Sequence, residues 1–103
     1  MDKEEVIEKV KRYATIIRSH FPVKMVILFG SYARGNPRET SDIDVAVLVD
    51  KSNDDCLESE ARLNRLRRSI DLRIEPVLFE EDEKDPEGFF EEILKTGEII
   101  YQA

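Results

Sequence analysis

The chain has 103 residues and a formal net charge of −7, with 38% charged and 41% apolar side chains. That length fits one domain over residues 1–103 with a single modest core, the apolar share excludes a disordered chain, and the acidic balance argues against a protein that neutralises duplex phosphates. The lone cysteine, Cys56, excludes an intrachain disulfide; with no apolar run near membrane-span length and no signal peptide after Met1, a cytoplasmic protein is expected.

Residues 2–19 read as a first helix. Asp2 and Glu5 have capping-box spacing, and Val6, Ile7, Val10, Ala14 and Ile17 recur at helical period. His20-Phe21-Pro22 ends it, because the residue before proline disfavours helix. Val23 to Phe29 is a short apolar run that predicts a buried strand. Gly30-Ser31 follows at once, and residues 36–41 form a polar loop. Ile43 to Val49, rich in β-branched residues, predicts a second strand.

Asp54 to Ser69 reads as a second helix, with Leu57, Ala61, Leu63 and Leu66 on its apolar side. Ile70 to Phe79 predicts a third strand, and Pro76 within it indicates an edge or a bulge. After an acidic loop over residues 80–85, Pro86 to Lys95 predicts a last helix. Gly97 ends that helix, and Glu98 to Tyr101 adds a short fourth strand. The alternation predicts an α/β (α+β) fold, with a small mixed sheet of about four strands and helices packed mainly on one face.

Three pieces of this pattern carry chemistry. Asp42 and Asp44 are two apart in an extended chain, so they point to one face, roughly 6.5 Å apart along the strand. Two such carboxylates repel and lose solvation unless a cation sits between them. Hard oxygen ligands in small number suit magnesium, with phosphate and water oxygens completing its shell. Asp71 starts the next strand and is placed to reach a second ion, since paired ions about 3.5–4 Å apart hold both oxygens of an in-line displacement. Glu75 shares the face of Asp71 by the period of two and is the substitute candidate. Gly30 allows close approach of backbone to a phosphate. Ser31 adds a hydroxyl and opens a helix whose free N–H groups favour an anion. Arg34 and Arg38 stand near enough in sequence to neutralise phosphate charge.

Each of these residues also has an ordinary reading. Asp42 and Asp44 suit a turn at a strand end, Ser31 a helix cap, and Asp71 a salt bridge with Arg73. Arg62, Arg65, Arg67 and Arg68 suit a solvated helix face. Tyr32 reads as packed, and Cys56 as buried or half-buried. Gly30 to Gly35 has the GxxxxG frame of a P-loop, but Asn36-Pro37 replace its lysine and hydroxyl residue. Ala46 likewise breaks a calcium-loop pattern.

Gly30-Ser31, ten residues, then Asp42-x-Asp44 resembles the signature of the DNA polymerase β-type nucleotidyltransferase superfamily. The stretch GSYARGNPRETSDIDVAVLVD is similar to minimal nucleotidyltransferases, and IDLRIEPVLF resembles the strand bearing the third carboxylate, which the resemblance puts at Asp71. The resemblance implies catalysis by Asp42, Asp44 and Asp71, holding two Mg2+ ions. It implies nucleotide binding at Gly30, Ser31 and Arg34, and ATP as donor of AMP to a hydroxyl acceptor. Short members of this group pair with HEPN-type ribonuclease toxins as antitoxins, and some modify a toxin tyrosine. Two alternatives stay open: a non-catalytic antitoxin that covers its partner, and an enzyme acting on a small molecule. The latter usually needs an added acceptor domain. Neither membrane nor duplex nucleic acid is expected as a partner.

Overall fold

The computed structural model describes residues 1–50 and 56–103. Helix α1 runs Lys3–Arg18, and the Asp2 side chain caps it by accepting the Glu5 N–H at 2.8 Å. Strand β1 is Val23–Phe29, followed by a single helical turn, α2, at Ser31–Arg34. Strand β2 is Ile43–Val49 and helix α3 is Cys56–Leu66, which tightens into a 3₁₀ turn at Arg67–Ser69. Strand β3 is Ile74–Glu80, helix α4 is Phe89–Thr96 and strand β4 is Glu98–Gln102.

The four strands form one mixed sheet in the order β3-β2-β1-β4. β1 is antiparallel to β2 and β4, whereas β2 and β3 are parallel and joined across α3. A parallel pair needs such a crossover. Pro76 lies in β3, an outer strand, as its missing N–H demands.

Alternation along the strands sorts the core into two faces. On one face Val26, Leu28, Ile43, Val45, Val47 and Ile74 pack against Val6, Val10, Tyr13 and Ile17 of α1, Tyr32 of α2 and Leu63 of α3. This is the main helical layer. The Tyr13 hydroxyl donates to the Leu63 carbonyl at 2.8 Å, tying α1 to α3 inside it. Burial pushes the Tyr13 phenol up, with Arg67 opposing the shift. On the other face, α4 covers Ile27 and Ala46 through Ile93, with Phe29, Phe79 and Phe90 around it. Phe89 meets Phe29 edge-on at 6.0 Å between ring centres.

Two boundaries differ from the sequence-based expectation. β3 starts at Ile74, not Ile70, because the Asp71 carboxylate accepts the Arg73 N–H at 2.8 Å and holds residues 71–73 as a turn. α4 starts at Phe89, not Pro86, because Asp85 accepts the Phe90 and Glu91 N–H groups at 3.2 and 3.1 Å and so caps the helix from outside. The expected start of the second helix at Asp54 lies outside the described residues. Cys56, expected to be at least half-buried, is exposed at the start of α3.

Candidate active site

Asp44 is the second residue of β2, on the face opposite the main helical layer. The antiparallel register sets it beside Phe29 at the end of β1, and the parallel register sets it beside Glu75 in β3. Gly30 follows Phe29 directly. Its backbone, at φ 78° and ψ −154°, occupies a region essentially reserved for glycine. A Cβ built there would fall inside the Asp44 carboxylate, with Asp44 Cγ only 3.0 Å away. The glycine therefore makes room for the aspartate, and the turn and the acid form one unit.

The electrostatics agree with that crowding. The Asp44 carboxyl is raised above the ordinary aspartate range, first by burial and then by the negative charges of Asp42 and Glu75, with Arg34 opposing. Asp42, in the loop just before β2, and Arg34, in α2, are therefore close enough to act on Asp44. Ser31 is the first residue of α2, and its carbonyl accepts the Asn36 N–H at 3.1 Å. Tyr32 is buried in the core, as expected for a packing residue. Arg38 is exposed in the loop, where its N–H donates to the Ser41 hydroxyl at 2.7 Å.

Asp71 stands elsewhere. Its carboxylate accepts from Lys9 Nζ of α1 at 2.7 Å and from Arg73 Nη2 at 3.0 Å. The Arg73 bonds, then those of Lys9, hold it far below the usual carboxylate range. A carboxylate with two cationic partners has little capacity left for a metal ion. Asp71 thus ties α1 to the head of β3, and the carboxylate brought beside Asp44 is that of the substitute candidate, Glu75. The period of two that linked them on paper does not apply, because residues 71–73 are a turn. Sequence reasoning missed Lys9 entirely, and a lone lysine on an amphipathic helix gives no signal.

Among the described residues, no three His, Cys, Asp or Glu side chains are drawn together closely enough to hold a metal ion as they stand. The donors do suit a hard divalent cation in kind and in register. They are carboxylate oxygens on neighbouring strands, and their mutual repulsion is what a cation relieves.

The polymerase β nucleotidyltransferase profile matches residues 8–103. Among curated relatives from Methanocaldococcus jannaschii, one assigned as a candidate protein adenylyltransferase is 43% identical over 49 residues, 48% of this chain and 49% of its own length. Another with the same assignment is 32% identical over 99 residues, covering 90% of this chain and 96% of its own. The chain spans about half the length of the first of these. Among solved structures, a candidate nucleotidyltransferase from Sulfolobus solfataricus superposes with a TM-score of 0.70 at 21% identity, over 97% of this chain and 83% of that one. A chain of a mutant MntA–HpeT toxin–antitoxin complex superposes with a TM-score of 0.60 at 17% identity, over 100% and 75%. These two likenesses are likenesses of fold.

Proposed function

The chain belongs to the polymerase β nucleotidyltransferase family, and on that footing we propose that it transfers AMP from ATP to a hydroxyl of a protein partner. The partner is a HEPN-type toxin, the acceptor one of its tyrosines, and the transfer neutralises it. The observation that carries the reading is the seating of Asp44 between Gly30 and Glu75. The assignment of a full-length relative as a protein adenylyltransferase supports a protein acceptor, and the toxin–antitoxin neighbour supports the class of partner.

In this reading Gly30 and Ser31 receive the triphosphate, through backbone N–H groups and the hydroxyl. Arg34 balances phosphate charge. Asp42 and Asp44 are the ligands for magnesium, and Glu75 takes the third place in preference to Asp71. Magnesium, when bound, supplies charge neutralisation for the triphosphate and for the departing pyrophosphate. Glu75 orients the acceptor hydroxyl and draws on its proton. A bond forms from that oxygen to the α-phosphorus, the bond to the β-phosphate breaks, and pyrophosphate leaves.

The test is to incubate the protein with ATP, magnesium and a HEPN-type toxin as the proposed partner, and to weigh that toxin. A gain of adenylyl mass is expected, and it should vanish in Asp44→Asn. No gain with both proteins folded refutes the reading. Glu75→Gln against Asp71→Asn decides the third carboxylate: the first should lose transfer while staying folded, the second should keep transfer at temperatures where it is folded.

A second reading is favoured by the exposed apolar side chains Phe89 and Leu94 on α4 and Ile99 on β4. There the chain neutralises its partner by covering it. If Asp44→Ala still protects cells from the toxin, covering is sufficient.

A further inference from the structure

The basic run at residues 62–68 reads in the sequence as a solvated helix face, and Arg62, paired with Glu58 at 3.7 Å, behaves so. Arg67 does not. It opens the 3₁₀ turn after α3, and its side chain is three-quarters buried. Its carbonyl accepts the N–H groups of Ile70 and Asp71, both at 2.9 Å. Its Nη1 donates to the Ile74 carbonyl at 2.8 Å and pairs with Glu75 Oε1 at 3.6 Å. One residue therefore holds both ends of the turn that leads into β3. β3 is an outer strand, so a side chain from the helical layer reaches its backbone and Glu75 together. The Arg67 Nε is buried with no hydrogen-bond partner, the one such side-chain atom among the described residues.

We propose that Arg67 is a positioning residue for Glu75. Its guanidinium fixes where β3 begins, and with it the placement of the Glu75 carboxylate against Asp44 for a divalent cation. The proposal rests on the reading of Asp44 and Glu75 as cation ligands. Two effects compete when the arginine is lost. Removing its positive charge favours a cation, but Glu75 is half exposed, so this pair is heavily screened. Losing the group that orients a ligand carboxylate weakens metal sites by about 10–100-fold. Orientation wins. Lysine replaces it only in part: both contacts are made by Nη1, but an ammonium is a more strongly hydrated charge than a guanidinium and is held less well in a site that buries three-quarters of the side chain.

The experiment titrates Mn2+ into the full chain with α,β-methylene-ATP, following bound ion by electron paramagnetic resonance. Arg67→Met is expected to weaken Mn2+ binding at least about tenfold, and Arg67→Lys to weaken it by a smaller factor. In a Glu75→Gln background, Arg67→Met should add no further loss, an interaction that a merely structural role would not produce. Wild-type Mn2+ affinity in either folded Arg67 variant, or full additivity with Glu75→Gln, overturns the proposal. Arg67→Lys keeps the charge and stem, so it serves if Arg67→Met does not fold. Asp44→Asn separates the two levels of argument. If it too binds Mn2+ like the wild type, the cation site itself is wrong. If it loses binding while Arg67→Met does not, only the role of Arg67 is wrong.

Discussion

Replacing Gly30 by alanine tests the join between the turn and the acid. At φ 78° and ψ −154°, a side chain costs about 1–3 kcal/mol of backbone strain. The new Cβ also displaces the Asp44 carboxylate, and pushing that side chain off its rotamer adds about 0.5–1.5 kcal/mol. The sum is about 1.5–4.5 kcal/mol, which for a domain of this size lowers Tm by at least about 6 °C. Gly35→Ala is the control. Gly35 has a φ of 80°, but a Cβ there meets nothing within 4 Å, so only left-handed strain of about 1–2 kcal/mol applies. Urea unfolding of Gly30→Ala, Asp44→Ala and the double variant completes the cycle. About 1 kcal/mol of the Gly30→Ala cost should disappear when the Asp44 carboxylate is gone. A Gly30→Ala protein within about 0.5 kcal/mol of wild type, or a cycle with no coupling, would refute the claim that this glycine exists for Asp44.

Asp44 has a raised carboxyl, so the folded state binds its proton more tightly than the unfolded state does, and ionisation opposes folding as pH rises through that value. Asp44→Asn should therefore raise Tm at pH 7, lose the advantage in acid, and abolish the stabilisation that the proposed cation site predicts for the wild type in added magnesium. Asp71 is the opposite case: its lowered carboxyl contributes stability above the ordinary aspartate range, and that contribution drains away as pH falls below about 4. Asp71→Asn should cost about 2–3 kcal/mol at pH 7 and progressively less in acid, measured by urea titrations across pH. Tyr13→Phe leaves the Leu63 carbonyl buried without its donor and should cost about 1–2 kcal/mol in the same assay, with cation binding unchanged.

The strands and the Asp42-Ile43-Asp44 pair were legible in the sequence because period-two patterning and a glycine-serine turn after an apolar run are local signals. Pro76 was readable for the same reason, since a missing N–H has few places to go. The third carboxylate was harder. Asp71 and Glu75 differ by four residues, and only a tertiary fact separates them. Lys9, 62 positions away, captures the first, and the Asp71 side chain folds its own backbone into a turn. Pairing register then gives Asp44 to the second. Arg67 was hidden by its company, because three neighbouring arginines made it look like surface. Asp85 was hidden as well: it caps α4 from five and six residues away, across a proline and a glycine that read as part of the helix.

The parallel contact between β2 and β3 has a consequence for how the protein matures. Asp42 and Asp44 arrive together on one short segment, but Glu75 joins them only after the chain has crossed over through α3 and laid its outer strand down. A chain arrested before that step holds two of the three acids and is spared much of their repulsion. Affinity for a divalent ion should then report completion of the crossover, and ions in the medium should favour the finished molecule over its half-assembled precursors.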